Sequence, residues 1–199
     1  MSIEVLRAIR YGAFALIAAI AFGWAAVGLG LFKQDGQPQF GKAAITSFRL
    51  TDQDGATVTE RALLGRPAVL FFGFTYCPDV CPTTLTSVTV LLARLGDDAD
   101  KVGVYFVTID PERDTAPEIK KYLSSFDPRI RGLTGTADQI AAIARPLGVY
   151  YAKSGEGDTY TMDHTASVFL LDANGSLRGT IAYGEEADTA EAKLRALLR

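Results

Sequence analysis

The sequence predicts an α/β domain built on a central mixed sheet, carried behind a single membrane-spanning helix. Three observations predict it. Two short unbroken apolar runs, "PAVLFFGFTY" (67–76) and "KVGVYFVTID" (101–110), suit strands covered on both faces. Segments with helical spacing of apolar residues alternate with them, and the chain closes with a hairpin and then a helix, the order of an α/β layer structure. Residues 11–32, "YGAFALIAAIAFGWAAVGLGLF", carry no charge, and at about 1.5 Å per helical residue such a run crosses a hydrocarbon core of roughly 30 Å.

The flanks of that run orient it. Arg7 and Arg10 precede it, whereas "KQDG" after it is electrically mixed. The positive-inside bias therefore places residues 1–10 in the cytoplasm, the anchor at 11–32, and the rest on the opposite side. A cleaved signal peptide is the competing reading, but its apolar region is usually shorter. In a bacterial-type cell this makes a single-pass inner-membrane protein with its domain in the oxidising periplasm. Residues 33–44, polar with Gly and Pro, form a linker, and 45–199 form the domain. A formal net charge of -3, with 48% hydrophobic and 22% charged residues, gives no basic surface for nucleic acid. No fixed-period repeat and no low-complexity tract interrupts the chain.

The elements follow in order. "SFRLTDQDGATVTE" is a β-hairpin turning at Asp54-Gly55; the carboxylate spacing in "DQDG" is wrong for a calcium loop. The first buried strand, 67–76, leads into a helix with Leu85, Val88, Leu91, Leu92 and Leu95 on one face and Gly96 as its stop. The second buried strand is followed by "TAPEIKKYLSSF", a helix with Thr115 as N-cap and Pro117 in its first turn. "TADQIAAIARPLG" is another helix, disrupted at Pro146. "ASVFLLDANGSLRGTIAYG" is a hairpin turning at Asn174-Gly175, and "DTAEAKLRALLR" is an amphipathic helix.

Chemistry concentrates between the first buried strand and its helix. "FTYCPDVCP" holds both cysteines, Cys77 and Cys81, each followed by proline. Reactive groups gather at such C-terminal strand ends. Each cysteine precedes a proline and is pushed away from the α region, so the pair is not a simple helical i, i+4 couple. Pro82 fits the first helical position, which places Cys81 at or beside the N-cap, where the positive helix end favours a thiolate. A disulfide staple, a redox pair and a metal clamp all suit this loop. A staple across so short a span adds little to a domain of this size.

Two sulfurs are too few for four-coordinate zinc, and the chain has one histidine, His164. Cys77, Cys81 and His164 together make a soft S2N set that suits copper, above all Cu(I). A lone histidine is more often structural than a ligand, but His164 in "TYTMDHTASVFLLD" precedes an apolar strand, whose mouth lies within reach of a loop ending a neighbouring strand. Asp79, Asp110 and Arg113 are weighed as supporting residues: Asp79 as a solvated turn residue or a site-orienting one, Asp110 and Arg113 as a turn-forming ion pair. Met162 shares a face with His164 if the segment is extended, and packing is its expected role.

"GFTYCPDVCPTTL", "VTIDPERDT" and "DHTASVFLLDANG" together resemble the Sco/SenC family, in order over most of 45–199. The resemblance implies a thioredoxin-like fold with an N-terminal hairpin and insertions. It implies Cys77, Cys81 and His164 as ligands to one copper ion, Cu(I) or Cu(II). It also implies a metallochaperone that delivers copper to the dinuclear site of a cytochrome c oxidase subunit. Further partners on this reading are other copper chaperones and a thiol reductant. Two departures from ordinary thioredoxins favour metal over general oxidoreductase chemistry: CxxxC in place of CxxC, and no proline ahead of "SVFLLD". The alternatives are a thiol–disulfide reductase that acts through Cys77 and Cys81 on the acceptor's cysteines, a redox or copper sensor, and a peroxidase.

Overall fold

A computed structural model of the chain describes Arg7, Tyr11, Gly12, Phe14, Ile20, Phe22 and residues 43–199. Residues 1–37 and 38–199 form separate compact units. In the first, the six described residues are helical. The rest of the expected anchor at 11–32, and the linker up to residue 42, lie outside the described residues. Among the described residues no helix is long and apolar enough to cross a membrane.

In the second unit, seven strands form one mixed sheet. They are β1 (Arg49–Asp52), β2 (Thr57–Thr59), β3 (Ala68–Gly73), β4 (Gly103–Thr108), β5 (Ile130–Thr134), β8 (Val168–Leu171) and β9 (Leu177–Ile181). Two more, β6 (Tyr151–Ser154) and β7 (Thr161–His164), form a separate two-stranded sheet among the described residues. The order across the large sheet is β2-β1-β5-β4-β3-β8-β9. The helices are α1 (Val80–Leu95), α2 (Ala116–Leu123), α3 (Ala137–Ala144) and α4 (Ala187–Leu197). The succession β3-α1-β4, closed by the β8-β9 hairpin and α4, is a thioredoxin-like core. The β1-β2 hairpin, α2 with β5, and the β6-β7 hairpin are additions to it.

The two continuous apolar runs are the centre of the sheet. Every residue of β3 and of β4 is buried, as strands covered on both faces require. They pair in parallel with Phe71 opposite Phe106 and Gly73 opposite Thr108. On its other side β3 meets β8 antiparallel, with Phe71 opposite Val168. The end of β3 and the start of β8 therefore lie side by side. The buried face of α1 carries Leu85, Val88, Leu91, Leu92 and Leu95, the expected stripe. This helix is tied to α4 by Arg94, whose guanidinium lies 2.8 Å from Asp188.

The predicted turns and the Thr115 cap hold. Gly55 and Gly175 take the positive φ that their hairpins need (85° and 75°). Thr115 caps α2, and Thr136 with Gln139 closes a capping box on α3. Past Pro146 the chain turns through Gly148 in the left-handed region.

Three features depart from the sequence reading. β5, "IRGLT", is a sheet strand that the pattern did not reveal. Its Arg131 reaches across to Asp52, and its Gly132 is where α2 presses closest: a Cβ there would stand 2.1 Å from Ile119 Cγ2. The β6-β7 pairing was also unmarked in the sequence. Finally, α1 begins at Val80, one turn earlier than the apolar stripe suggested. Pro82 sits third in the helix and not first, still within the turn whose N–H groups lack intrahelical acceptors.

Asp52 ties the first hairpin to the sheet. One oxygen accepts from the N–H groups of Asp54 (3.0 Å) and Ala56 (2.8 Å), the other from Arg131 (2.6 Å). Burial pushes its pKa up, but the Arg131 and backbone hydrogen bonds outweigh burial and hold it below the ordinary carboxylate value of 3.8. A depressed folded pKa contributes stability that is present above the unfolded value and lost as pH falls through the folded one. Asp52→Asn should therefore cost about 1–3 kcal/mol near pH 7. In urea unfolding the gap to the parent should close as pH drops below 3.8. A gap that stays constant with pH would show that the charge is not what matters.

Candidate metal centre

The site is built at the junction of β3, α1 and β7. Phe74, Thr75 and Tyr76 leave β3, and Cys77 follows, its N–H donating to Phe74 O at 3.3 Å. Asp79 is the N-cap of α1, with its side chain exposed and accepting only from Thr83 Oγ1 at 3.3 Å. Cys81 is the second helical residue and is fully buried, whereas Cys77 is half-buried. Both thiols are free. From the other direction, β7 ends at His164, four residues ahead of Val168 and thus beside the end of β3.

The three side chains expected as ligands converge. Cys77 Sγ, Cys81 Sγ and a ring nitrogen of His164 all lie within 4.8 Å of one another. Cys81 Sγ stands 3.6 Å from His164 Nε2. The other ring nitrogen, Nδ1, lies 3.0 Å from the Thr165 carbonyl. A carbonyl only accepts, so Nδ1 carries the proton and Nε2 presents its lone pair to the sulfurs. Phe71 and Phe74 flank the imidazole with their rings about edge-on, at centroid distances of 6.1 and 6.0 Å. Burial pushes the His164 pKa below 6.5, which keeps the ring neutral and able to ligate at neutral pH.

The sulfurs differ in a way the sequence reading reversed. That reading put Cys81 at the helix end as the favoured thiolate. In the structure Cys81 points into the core, and burial pushes its thiol far above the ordinary value. The helix end belongs to Cys77, whose sulfur accepts from the Cys81 N–H at 3.3 Å. That N–H is one of those a helix start leaves without an acceptor. Cys81 thus ionises only when a cation arrives to replace the proton, and metal binding here releases it. Two soft sulfurs and one unprotonated imidazole nitrogen, mutually close and largely desolvated, fit a soft ion of low coordination number such as Cu(I).

Gly73 was not singled out from the sequence, although a glycine inside an apolar strand signals close approach of another group. A Cβ at this position would lie 2.8 Å from Cys81 Sγ and 3.0 Å from Phe106. The strand leaves room for the sulfur by carrying no side chain. Asp114 was also missed. Its carboxylate is fully buried and accepts from Thr75 N (3.0 Å), Thr75 Oγ1 (2.6 Å) and Thr108 Oγ1 (2.6 Å). Burial raises its pKa despite those bonds. Asp110 and Arg113 form the expected ion pair, 2.5 Å apart, and touch no ligand atom. Met162 packs against the hydrophobic core.

Residues 36–199 match the family model described as SCO1/SenC. The chain belongs to the SCO1/SenC family. Among curated relatives it is 41% identical over 138 residues to protein SCO1 homolog 1 of Arabidopsis thaliana mitochondria, a match spanning 67% of this chain and 41% of that protein. It is 34% identical over 166 residues to mitochondrial SCO2 of Saccharomyces cerevisiae, spanning 81% of this chain and 55% of that protein. The matches thus span about half the length of these relatives. Among solved structures, copper-bound ScoI of Bradyrhizobium japonicum superposes with a TM-score of 0.72 at 44% identity, covering 78% of this chain and 100% of that one. Copper-bound yeast Sco1 gives 0.71 at 32% identity, over 77% and 87%.

If Gly73 makes the space for Cys81, Gly73→Ala should destabilise the fold by about 1–3 kcal/mol and weaken metal binding together. Gly179→Ala is the control, because a Cβ there meets nothing within 4 Å. Urea unfolding and Cu(I) competition on both variants make the comparison. Intact binding in Gly73→Ala would show that the sulfur does not need the gap.

Proposed function

We propose that this chain is a membrane-anchored copper metallochaperone. It holds one copper ion through Cys77, Cys81 and His164 and delivers it to the dinuclear copper site of a cytochrome c oxidase subunit, from the periplasmic face of a bacterial-type inner membrane. The observation that carries this reading is the convergence of three soft ligand atoms within 4.8 Å in a member of this family. The copper-bound ScoI and Sco1 neighbours support the choice of ion. The charge-free run at 11–32 and its basic N-terminal flank support the anchor and its orientation.

The geometry suggests how the ion is held and released. Copper is the cargo and undergoes no net reaction. Binding displaces the protons of the thiols, while Nε2, kept bare by the Nδ1 hydrogen bond to Thr165, needs none removed. Three protein ligands leave the ion coordinatively open, so an acceptor's sulfur or imidazole can add before any donor leg departs. Half-buried Cys77 gives way first and buried Cys81 last.

A second reading keeps the thiols and drops the imidazole: reduction of disulfides in the acceptor. The accessible sulfur, Cys77, would attack, and Cys81 would then resolve the mixed disulfide as the acceptor's thiol leaves. Its support is the helix-end N–H on Cys77 Sγ. The depth of Cys81 and its raised pKa argue against fast resolution.

The test is copper titration of the reduced full chain and of His164→Ala, read by X-ray absorption. The parent should bind one ion with two sulfur scatterers and one nitrogen. The variant should lose the nitrogen and at least about tenfold in affinity, the lower bound for removing even an outer partner of a ligand. Unchanged affinity in the variant would overturn the chaperone reading and leave thiol exchange as the role of the cysteines.

A further inference from the structure

The β4-α2 turn, Asp110 to Asp114, touches both halves of the metal centre without supplying a ligand. Asp114 faces the sulfur side. Its carboxylate takes both the N–H and the hydroxyl of Thr75, two residues before Cys77, and braces itself on the Thr108 hydroxyl at the end of β4. Arg113 faces the imidazole side. Its Nη1 donates to the Tyr160 carbonyl at 3.0 Å, and its guanidinium lies 3.6 Å over the Tyr160 ring. Tyr160 immediately precedes β7, the strand that ends at His164. The Tyr160 hydroxyl donates to Asp110 at 2.6 Å, and Asp110 also pairs with Arg113 Nε. Lys153 of β6 covers the other face of the Tyr160 ring at 3.7 Å and pairs with Glu112 of the turn at 2.9 Å. The Arg113 guanidinium also reaches the ring of Tyr76, the neighbour of Cys77, at 4.7 Å.

These contacts matter because the hairpin carrying His164 is not part of the main sheet. Strand pairing alone does not fix where its imidazole stands. We propose that the Asp110–Asp114 turn sets the geometry of the metal centre, with Asp114 positioning the sulfur-bearing loop and Arg113, through Tyr160, positioning the hairpin that presents His164. Two adjacent residues of opposite charge thereby hold two segments that are far apart in sequence. Both are positioning residues. The part concerned with ligation rests on the copper reading above, whereas the two anchors are properties of the metal-free fold.

The experiment has two readouts on the reduced full chain. Without metal, amide hydrogen exchange should rise at least about tenfold over 151–165 in Arg113→Met while 77–81, beyond the Tyr76 ring that Arg113 touches, stay within about twofold of the parent, and the pattern should invert in Asp114→Asn. With Cu(I), Arg113→Met should weaken binding at least about tenfold in the parent background and less than about twofold in a His164→Ala background, because the two changes disable the same leg. Asp114→Asn should weaken binding in both backgrounds. Should either variant fail to fold, Tyr160→Phe, which removes the hydroxyl and its bond to Asp110 but keeps the ring under Arg113, and Thr75→Val, which deletes only one bond to Asp114, should give the same patterns at smaller size. Exchange that rises equally in both segments, or in neither, overturns the assignment. So does an Arg113 effect of equal size with and without His164. A parent that binds no copper while the exchange pattern holds would overturn the copper reading and uphold the two anchors.

Discussion

Everything at the site depends on the antiparallel pairing of β8 against β3. With Phe71 opposite Val168, the residues that follow β3 and those that precede β8 occupy one end of the sheet. Slide that pairing by one residue and the buried faces of both strands invert. Both strands are apolar and buried throughout, so the cost of such a slip is mismatched side-chain volume in a close-packed core. The apolar register thus fixes which end of the sheet receives the cysteine loop and the histidine segment, and it does so with residues that touch no ligand. On the far side of β3, the parallel pairing with β4 brings the Asp110–Asp114 turn to the same end.

Burial then shapes the chemistry. A desolvated imidazole stays neutral, and a desolvated thiol stays protonated. Both are the uncharged forms, so the empty site holds no stranded charge in a low-dielectric pocket. An arriving soft cation reverses the cost, since it brings the charge that makes thiolates favourable there. The site therefore carries no buried charge of its own until an ion brings one.

Much of this was legible in the sequence, for identifiable reasons. The β3 and β4 runs, the α1 stripe, the Thr115 and Thr136 starts and the two glycine turns are local signals, and local physics decides them. The convergence of Cys77, Cys81 and His164 could be suspected because the chain offers so few soft donors. What stayed hidden is non-local. β5 is held by Arg131 reaching Asp52 and by α2 against Gly132, neither of which leaves a periodic trace. The division of labour between the sulfurs depends on where α1 starts, and a proline permitted anywhere in the first turn does not settle that. Asp114 is one carboxylate among many until Thr75 and Thr108 are seen to enclose it. The span at 11–32 rests on the sequence alone.

The imidazole rides on an outgrowth, the β6-β7 hairpin, which shares no backbone ladder with the scaffold that carries the sulfurs. Evolution can therefore lengthen, shorten or reseat that outgrowth without redrawing the domain beneath it. Removing the nitrogen donor would leave the dithiol seated between β3 and α1, on strands whose pairing does not pass through the hairpin.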